Sequence, residues 1–170
     1  MAQPTLHGTG TTLRPVHEHD VEPLAAILAE PEVRRWWHGY DLHRVRSELL
    51  DGDGATVFVI EVGGEVVGAI QYAEESDPGY RHASIDVFLH PAAHGRGLGS
   101  DAVRTLARYL LHDRGHHRLT IDPAAANTKA IACYKRVGFR EVGVMRRYER
   151  GESGEWHDGL LMDMLAHELR

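Results

Sequence analysis

The chain has 170 residues, of which 42% are hydrophobic and 26% are charged, and its formal net charge is -6. This length predicts a single globular domain over residues 1–170. The acidic balance argues against a nucleic-acid partner, and no apolar run approaches the roughly 20 residues of a membrane span. Residues 1–10 are polar and lack a signal core, and Cys133 is the one cysteine, so we expect a cytoplasmic protein.

The 13 histidines are scattered along the chain without the spacing of a metal motif. We therefore assign them to surface or packed positions and expect no metal ligands. The composition leaves the oligomeric state open, between a monomer and a homodimer.

Hydrophobic periodicity predicts an alternation of strands and helices. The predicted strands are residues 11–14, 57–62, 65–72, 81–89, 119–121, 139–145 and 156–165. The predicted helices are residues 20–29, a short helix from Pro31 that carries Trp36 and Trp37, and residues 42–50, 99–112 and 127–137. Gly63-Gly64 is a hairpin signal, and residues 74–80 are predicted to form a turn. Together these elements predict an α+β fold in which a mixed, mostly antiparallel central sheet carries helices on both faces.

The sequence His-Gly-Arg-Gly-Leu-Gly-Ser at residues 94–100 follows a predicted strand and opens a predicted helix. The first N–H groups of a helix have no intrahelical acceptor and carry a partial positive charge. Glycine lets the backbone approach a diphosphate, and Arg96 adds a cationic donor for phosphate. This turn predicts a phosphate site, with an ordinary glycine-rich turn as the alternative. A P-loop and a dinucleotide-binding fingerprint do not fit, because no Gly-Lys-Ser/Thr follows and no second nucleotide-binding half is present.

Two motifs resemble those of the GNAT superfamily of N-acetyltransferases. The first is the acetyl-CoA motif of that family, matched by Val87-Phe88-Leu89-His90-Pro91 and Gly95-Arg96-Gly97-Leu98-Gly99. His94 stands where the family has Gln or Arg, but the glycine-lined amides are intact. The second motif is matched downstream by Asn127, Ala130, Tyr134 and Gly138-Phe139. The resemblance covers nearly the whole chain and implies an acyltransferase that uses acetyl-CoA.

The resemblance also implies that an amine attacks the acetyl thioester directly, in a ternary complex. The Leu89 N–H would donate to the thioester carbonyl, Tyr134 would act as general acid to the leaving thiolate, and Asn127 would bond the pantetheine arm. The cofactor-binding residues implied in this way are Phe88, Leu89, His94, Gly95, Arg96, Gly97, Leu98, Gly99, Ser100, Asn127, Ala130 and Tyr134. An acyl-enzyme on Cys133 is disfavoured, because the sequence offers no activating base beside it.

A narrower resemblance connects the chain with aminoglycoside 6′-N-acetyltransferases. It rests on Trp36-Trp37, on the acidic loop at residues 74–81 with Ile85-Asp86, and on Ile121-Asp122-Pro123 followed by Asn127 and Ala130-Ile131-x-Cys133-Tyr134. An aminoglycoside is a polycation, so its site needs carboxylates. The substrate-binding residues predicted on this basis are Trp36, Glu75, Asp77, Asp86 and Asp122. The alternatives are a core position for Trp36 and a solvated turn for Glu75 and Asp77.

The acceptor amine must lose a proton before it attacks, since a primary ammonium has a reference pKa of about 10. Asp122 is the first candidate for the base, Asp86 the second and Glu75 the third, because all three are expected to flank the thioester. Residues 147–170, with Gly154-Glu155-Trp156-His157-Asp158, also resemble acetyltransferases for protein N-termini, polyamines or small metabolites. The acceptor therefore stays open among these cationic amines, and a non-catalytic module that binds acyl-CoA or an antibiotic is a further alternative.

Overall fold

The computed structural model describes residues 2–170, and eight strands in this range form one sheet. In chain order they are β1 (Leu6–His7), β2 (Thr12–Pro15), β3 (Thr56–Val62), β4 (Glu65–Glu75), β5 (His82–Leu89), β6 (Arg118–Ile121), β7 (Arg140–Arg150) and β8 (Trp156–Leu165). Across the sheet the order is β1-β2-β3-β4-β5-β6-β8-β7. β5 and β6 are parallel, and the other neighbouring pairs are antiparallel. The predicted mixed, mostly antiparallel sheet is therefore confirmed.

Helices connect the strands on either side of this sheet. They are α1 (Val21–Ala29), α2 (Pro31–Arg34), α3 (Leu42–Val45), α4 (Leu98–Arg108) and α5 (Thr128–Val137). α3 and α4 continue into π-helical turns at Arg46–Leu50 and Tyr109–Asp113, and 3-10 turns lie at Glu18–Asp20, Pro91–Ala93 and Ala166–Glu168. Over residues 2–170, no helix has the length and apolar character needed to cross a membrane.

Alternate residues of the central strands belong to two separate hydrophobic cores, one on each face of the sheet. Phe58 packs with residues of α4 and α5, whereas Val57 and Val59 pack with residues of α1, α2 and α3. On β5, Ile85 belongs to the first core and Phe88 to the second. This division follows from the two-residue period of a strand. The prediction of helices on both faces is confirmed. Odd- and even-numbered residues of a strand face opposite sides of the sheet.

The parallel pairing of β5 with β6 is short. Among the residues that the structure describes, it joins Ala83 with Leu119 and Ser84 with Thr120, although β5 continues to Leu89. On its other side β5 stays paired with β4 along its full length. β5 and β6 therefore separate beyond these two pairs, and a gap opens through the sheet. We call this gap between β5 and β6 the splay.

The short helix predicted from Pro31 was expected to carry both tryptophans, and this prediction is wrong. α2 ends at Arg34, so Trp36 and Trp37 lie in the turn that follows it. The Trp37 ring packs edge-on against Phe88, with 4.9 Å between the ring centroids. The half-buried Trp37 ring thus holds this turn against the sheet.

The turn predicted at residues 74–80 begins later than expected. Glu74 and Glu75 are the last residues of β4 and stay in register with β5. The Glu74 carboxylate accepts hydrogen bonds from Arg114 at 2.8 Å and from His116 at 2.7 Å, which hold the end of the strand. β1 was not predicted, because a two-residue strand is too short to produce a periodic pattern.

Candidate active site

The glycine-rich turn lies between the turn at Pro91–Ala93 and the start of α4. Gly95 and Gly97 have φ values of 72° and 76°, in the left-handed region that favours glycine. The first hydrogen bond of α4 runs from the N–H of Asp101 to the carbonyl of Gly97, at 3.0 Å. The N–H groups of residues 98–100 therefore have no acceptor within the helix. They lie at the positive end of an 11-residue helix, which is an arrangement that binds phosphate groups.

An acidic residue in the first turn of α4 has its charge satisfied by the N-terminal segment. Asp101 is buried, and its carboxylate accepts hydrogen bonds from the N–H groups of Thr9, Gly10 and Thr11, each at 2.9 Å. The Thr11 hydroxyl adds a fourth, at 2.7 Å. Burial alone would raise the pKa of Asp101, but these donors hold it below its ordinary value. Arg96, which is exposed in the turn, is left as the charged side chain for a phosphate.

The end of β5 presents backbone groups to the splay. The His90 N–H donates to the carbonyl of Val67 on β4, at 2.7 Å. Because successive N–H groups of a strand point in opposite directions, the Leu89 N–H points away from β4 and toward the splay. The Leu89 carbonyl accepts a hydrogen bond from Nε2 of His94 at 2.9 Å, so this nitrogen carries a proton. His94 thus orders the end of β5 and leaves the Leu89 N–H facing the splay.

α5 begins at a side-chain cap and contacts α4. The side-chain oxygen of Asn127 accepts a hydrogen bond from the Ala130 N–H at 3.3 Å, so the prediction that Asn127 caps this helix is confirmed. Further along, Sγ of Cys133 lies 3.2 Å from Oγ of Ser100. This contact brings α5 against the first turn of α4, beside the N–H groups of residues 98–100. The role of Asn127 toward a pantetheine arm stays a prediction.

Tyr134 is buried on α5, on the same face of the sheet as α4. Burial is the main reason why its pKa lies above the ordinary value for tyrosine. The negative charges of Asp86 and Asp122 also raise this pKa, so both carboxylates lie within electrostatic reach of the phenol. At neutral pH the phenol is therefore protonated and can donate a proton.

A cavity of about 450 Å³ lies on the other face of the sheet, the face of α1, α2 and α3. Its floor includes every second residue of β5 and β6, because even-numbered residues of these strands face this side. The lining residues are His82, Ser84, Ile85, Asp86, Arg118, Thr120, Asp122, Met145, Tyr148 and Leu161. Asp86 and Asp122 each follow the last paired residue of their strand by two positions. Both carboxylates therefore stand where the splay opens into the cavity.

Asp86 is exposed at the cavity, although many protein atoms lie around its carboxyl group. The loss of hydration among these atoms raises the pKa of Asp86 to about 7, and the negative charges of Asp122 and Glu149 raise it as well. A hydrogen bond with Gln71, the partner of Asp86 on β4, acts in the opposite direction. A carboxyl group with this pKa exchanges its proton near neutral pH, as a general base must.

Asp122 differs from Asp86 in having a hydroxyl donor. The Tyr148 hydroxyl donates to Oδ2 of Asp122 at 2.7 Å. This hydrogen bond is the main cause that raises the pKa of Tyr148 to about 12, so the phenol remains a donor at neutral pH. The two carboxylates at the splay therefore have different environments, one shielded by protein and one hydrogen-bonded to a phenol.

Residues 11–140 match the family described as the acetyltransferase (GNAT) domain. The glycine-rich turn, the splay and the buried tyrosine lie within this matched region. The chain belongs to the GNAT acetyltransferase family. This membership confirms the predicted fold class and the prediction of an N-acetyltransferase that uses acetyl-CoA as its acetyl donor.

Two relatives of this GNAT domain carry the names of an aminoglycoside and a spermidine acetyltransferase. The chain is 30% identical over 154 residues to aminoglycoside N(6′)-acetyltransferase type 1 of Klebsiella pneumoniae, covering 79% of this chain and 76% of that protein. It is 24% identical over 162 residues to spermidine N(1)-acetyltransferase of Escherichia coli K12, covering 92% and 86%. The solved structure of AAC(6′)-Ib with paromomycin and acetyl-CoA aligns with a TM-score of 0.76 at 27% identity, covering 94% of this chain and 96% of that chain.

Three residues predicted to bind the acceptor do not line the cavity of this GNAT domain. Glu75 and Asp77 hold the β4–β5 turn: Glu75 accepts from the Asp77 N–H at 2.9 Å, and Asp77 accepts from a backbone N–H two residues on, at 2.8 Å. Trp36 lies after α2 with the Arg35 guanidinium 4.6 Å from its ring centroid. Their roles toward the acceptor stay predictions, as does the cofactor contact of Phe88, whose ring is buried in the core.

A second, open depression of about 600 Å³ is lined by Arg146, Arg147 and Asp158. Two guanidinium groups against one carboxylate give it a positive balance, which opposes a cationic amine. The smaller cavity at the splay has the charge that such an acceptor requires, and its carboxylates Asp86 and Asp122 raise the pKa of Tyr134. We therefore take the smaller cavity as the acceptor side of the site.

Two residues near the carboxylates were missed in the sequence. Tyr148 lies beyond the strand predicted at residues 139–145, whereas β7 runs on to Arg150 through an irregular segment that periodicity does not detect. Gln71 sits in a predicted strand, but its contact with Asp86 depends on the register of β4 with β5. Neither residue carries a motif, so a resemblance in sequence does not identify them.

Replacing Gly97 by Ala should weaken acetyl-CoA binding. An L-residue at a φ of 76° costs about 1 kcal/mol or more, although open space surrounds the added methyl group. Relief of this strain would shift the turn that presents the N–H groups of residues 98–100. We expect KM for acetyl-CoA to rise about tenfold, with little change in kcat, in an assay of thiol release. Gly54→Ala is the matched control, because open space surrounds Gly54 and its φ lies outside the left-handed region. A wild-type KM in Gly97→Ala would contradict a phosphate site at this turn.

Proposed function

We propose that the chain transfers the acetyl group of acetyl-CoA to a primary amine of an aminoglycoside, with the 6′-amino group favoured, by direct attack in a ternary complex. The observation that carries this proposal is the acidic end of the cavity at the splay, where Asp86 and Asp122 stand with Glu149 nearby. A polycation is stabilised by several carboxylates in one place. The similarity to aminoglycoside N(6′)-acetyltransferase type 1 supports the same acceptor.

In this proposal the N–H groups of residues 98–100 and the Arg96 guanidinium bind the diphosphate of acetyl-CoA. The pantetheine arm lies in the splay beside Asn127. The Leu89 N–H donates to the thioester carbonyl oxygen, where negative charge develops as the amine attacks. Since the β4–β5 ladder and His94 already fix this end of β5, the donor needs no rearrangement before the reaction.

We assign the base to Asp86 and not to Asp122, the first candidate from the sequence. With a pKa of about 7, Asp86 can accept a proton from the bound ammonium near neutral pH. Asp122 accepts a hydrogen bond from Tyr148 at Oδ2, which leaves its other oxygen to bind the ammonium. Glu75, the third candidate, bonds within its own turn and does not line the cavity. In this assignment Asp122 binds the ammonium and Asp86 removes its proton.

The proposed general acid is Tyr134. When the amine nitrogen bonds to the acetyl carbon and the carbon–sulfur bond breaks, the sulfur leaves as a thiolate that takes up a proton. A thiol has a reference pKa of about 8.5 and a phenol of about 10, and burial raises the pKa of Tyr134 further. The phenol is therefore neutral at the moment of transfer, and it stabilises the thiolate first by a hydrogen bond and then by the proton.

A second acceptor class is a linear polyamine. Trp36, which was predicted to bind an aminoglycoside, does not line the cavity, and the carboxylates of the cavity do not require a sugar ring. The similarity to spermidine N(1)-acetyltransferase points the same way. Protein N-termini and other metabolite amines were also left open by the sequence, as was a binding module without turnover.

A panel of amines tests the proposed function. Thiol release would be followed with acetyl-CoA and kanamycin, spermidine, or a short peptide with a free N-terminus. We expect turnover with kanamycin and a product acetylated on the 6′-nitrogen, assigned by NMR. An aminoglycoside with a hydroxyl group at the 6′ position is the matched control and should not be acetylated there. Turnover restricted to spermidine or to the peptide would overturn the aminoglycoside proposal, and binding of acetyl-CoA without thiol release on any amine would favour the binding module.

The pH dependence of kcat/KM should distinguish the two carboxylates. If Asp86 is the base, kcat/KM rises with pH through a midpoint near 7, because only the deprotonated carboxylate accepts a proton. Asp86→Asn should lose this acidic limb and about 100-fold in rate. Asp122→Asn should keep the limb and move its midpoint downward, since a negative charge that raises the pKa of Asp86 is removed. If Asp122→Asn loses the acidic limb of the pH profile and Asp86→Asn keeps it, the general base is Asp122.

Tyr134→Phe should lower kcat about 100-fold while KM for acetyl-CoA stays near its wild-type value, because the hydroxyl acts on the leaving sulfur. Steady-state kinetics at saturating acceptor would measure both constants. Tyr109→Phe is a suitable control, since this residue also packs against the core of α4 and α5 but does not line the cavity. A Tyr134→Phe variant with wild-type kcat would remove this tyrosine from the chemical step.

A further inference from the structure

Tyr148 stands in an unusual position for a residue of an edge strand. About half of its side chain is exposed, at 52%, yet its hydroxyl lies 2.7 Å from Oδ2 of Asp122. Both residues line the cavity at the splay. Tyr148 takes no chemical step in the proposed reaction. The backbone that holds this residue indicates what its contact with Asp122 does.

The backbone of β7 is irregular at the point where it presents Tyr148. Its register with β8 shifts between Met145, which pairs with Gly159, and Glu149, which pairs with His157. Residues 146–148 of β7 therefore lie opposite one residue of β8. Within this segment Arg147 has a φ of 48°, which is rare for a residue other than glycine. The Arg147 N–H donates to Oδ1 of Asp158 at 2.8 Å, which fixes the bulge.

The facing strand makes room for the Tyr148 ring. A Cβ at Gly159 would stand 3.0 Å from Cδ2 of Tyr148 and 3.2 Å from Cε of Met145. The ring therefore lies against a stretch of β8 that carries no side chain. Bulge and glycine act together: the bulge turns Tyr148 toward the cavity, and the missing Cβ lets the ring settle there with its hydroxyl at Asp122.

We infer that Tyr148 is a positioning residue of the acceptor site, which holds Asp122 so that Oδ1 of this carboxylate faces the acceptor amine. The inference rests on the proposed function, because it deepens the role given to Asp122 there. By donating to Oδ2, the hydroxyl removes one of the two orientations of the carboxylate and offsets part of its negative charge. Asp122 then binds the ammonium without competing with Asp86 for the proton.

The charged groups around this pair determine the sign of the expected effect. Asp86 of β5 and Glu149 of β7 bring negative charge, Tyr134 of α5 and Tyr40 before α3 bring neutral phenols, and His82 and Arg118 line the cavity as well. Arg118 donates to Asp163 at 3.1 Å, so much of its charge is already offset. Loss of the Tyr148 hydroxyl leaves the charge of Asp122 less compensated. Asp86 would then hold its proton to a higher pH.

The test is a carbon-13 NMR titration of the Asp86 carboxyl group in the free enzyme, with its signal assigned through Asp86→Asn. We expect a midpoint near 7 in the wild type, a rise of about half a pH unit in Tyr148→Phe, and a fall in Asp122→Asn. Tyr148→Phe combined with Asp122→Asn should match Asp122→Asn alone, because the hydroxyl acts through that carboxylate. An equal rise in the presence and absence of Asp122, or no rise at all, overturns the inference.

Kinetics add a second readout on the amine that the wild type accepts. Tyr148→Phe should raise KM for the acceptor about tenfold, with KM for acetyl-CoA unchanged, as expected for a lost hydrogen bond to a charged group. Gly159→Ala should change both readouts in the same direction by displacing the ring. Tyr80→Phe is the matched control, since Tyr80 is 77% exposed and does not line the cavity. The titration needs no acceptor, so failure of the proposed function and failure of this inference are told apart.

Discussion

The site depends on a parallel pairing that ends after two residue pairs. If β5 and β6 stayed paired to the end of β5, the sheet would separate the face of α4 and α5 from the face of α1, α2 and α3. Because pairing stops at Ser84 and Thr120, backbone donors of β5 are left facing a gap. The two hydrophobic cores keep each face rigid around that gap. A thioester held on one face and an amine held on the other can therefore meet in the middle of the sheet.

Opposite charges are kept apart by the same sheet. On one face, the positive end of α4 and the exposed Arg96 suit a diphosphate. On the other face, Asp86 and Asp122 suit an ammonium group. The carboxylate of Asp101 would weaken the first site if it were open to the phosphates, but the N-terminal segment surrounds it with four donors. The groups that would bind an anionic donor therefore lie apart from those that would bind a cationic acceptor, and the two sets of charges do not weaken each other.

Local sequence signals predicted the parts of this site that depend on local geometry. The glycines at 95 and 97, the cap at Asn127 and the alternation of β5 all reflect backbone preferences, and the structure has them as expected. Contacts across strands were harder to predict. Glu75 and Asp77 looked like acceptor ligands because they are acidic, yet they bond within their own turn. Tyr148 gave no signal, because its direction depends on a bulge in β7 and on the bare backbone of Gly159.

The choice between Asp86 and Asp122 illustrates why composition cannot assign a base. Both are aspartates two residues past the last β5–β6 pair, so the sequence treats them almost alike. Their neighbours differ: surrounding protein atoms and two like charges favour the neutral form of Asp86, whereas Asp122 accepts a hydrogen bond from Tyr148. A site that must both attract an ammonium and remove its proton needs two carboxylates with different neighbours, and the bulge of β7 contributes one of these differences by presenting Tyr148 to Asp122.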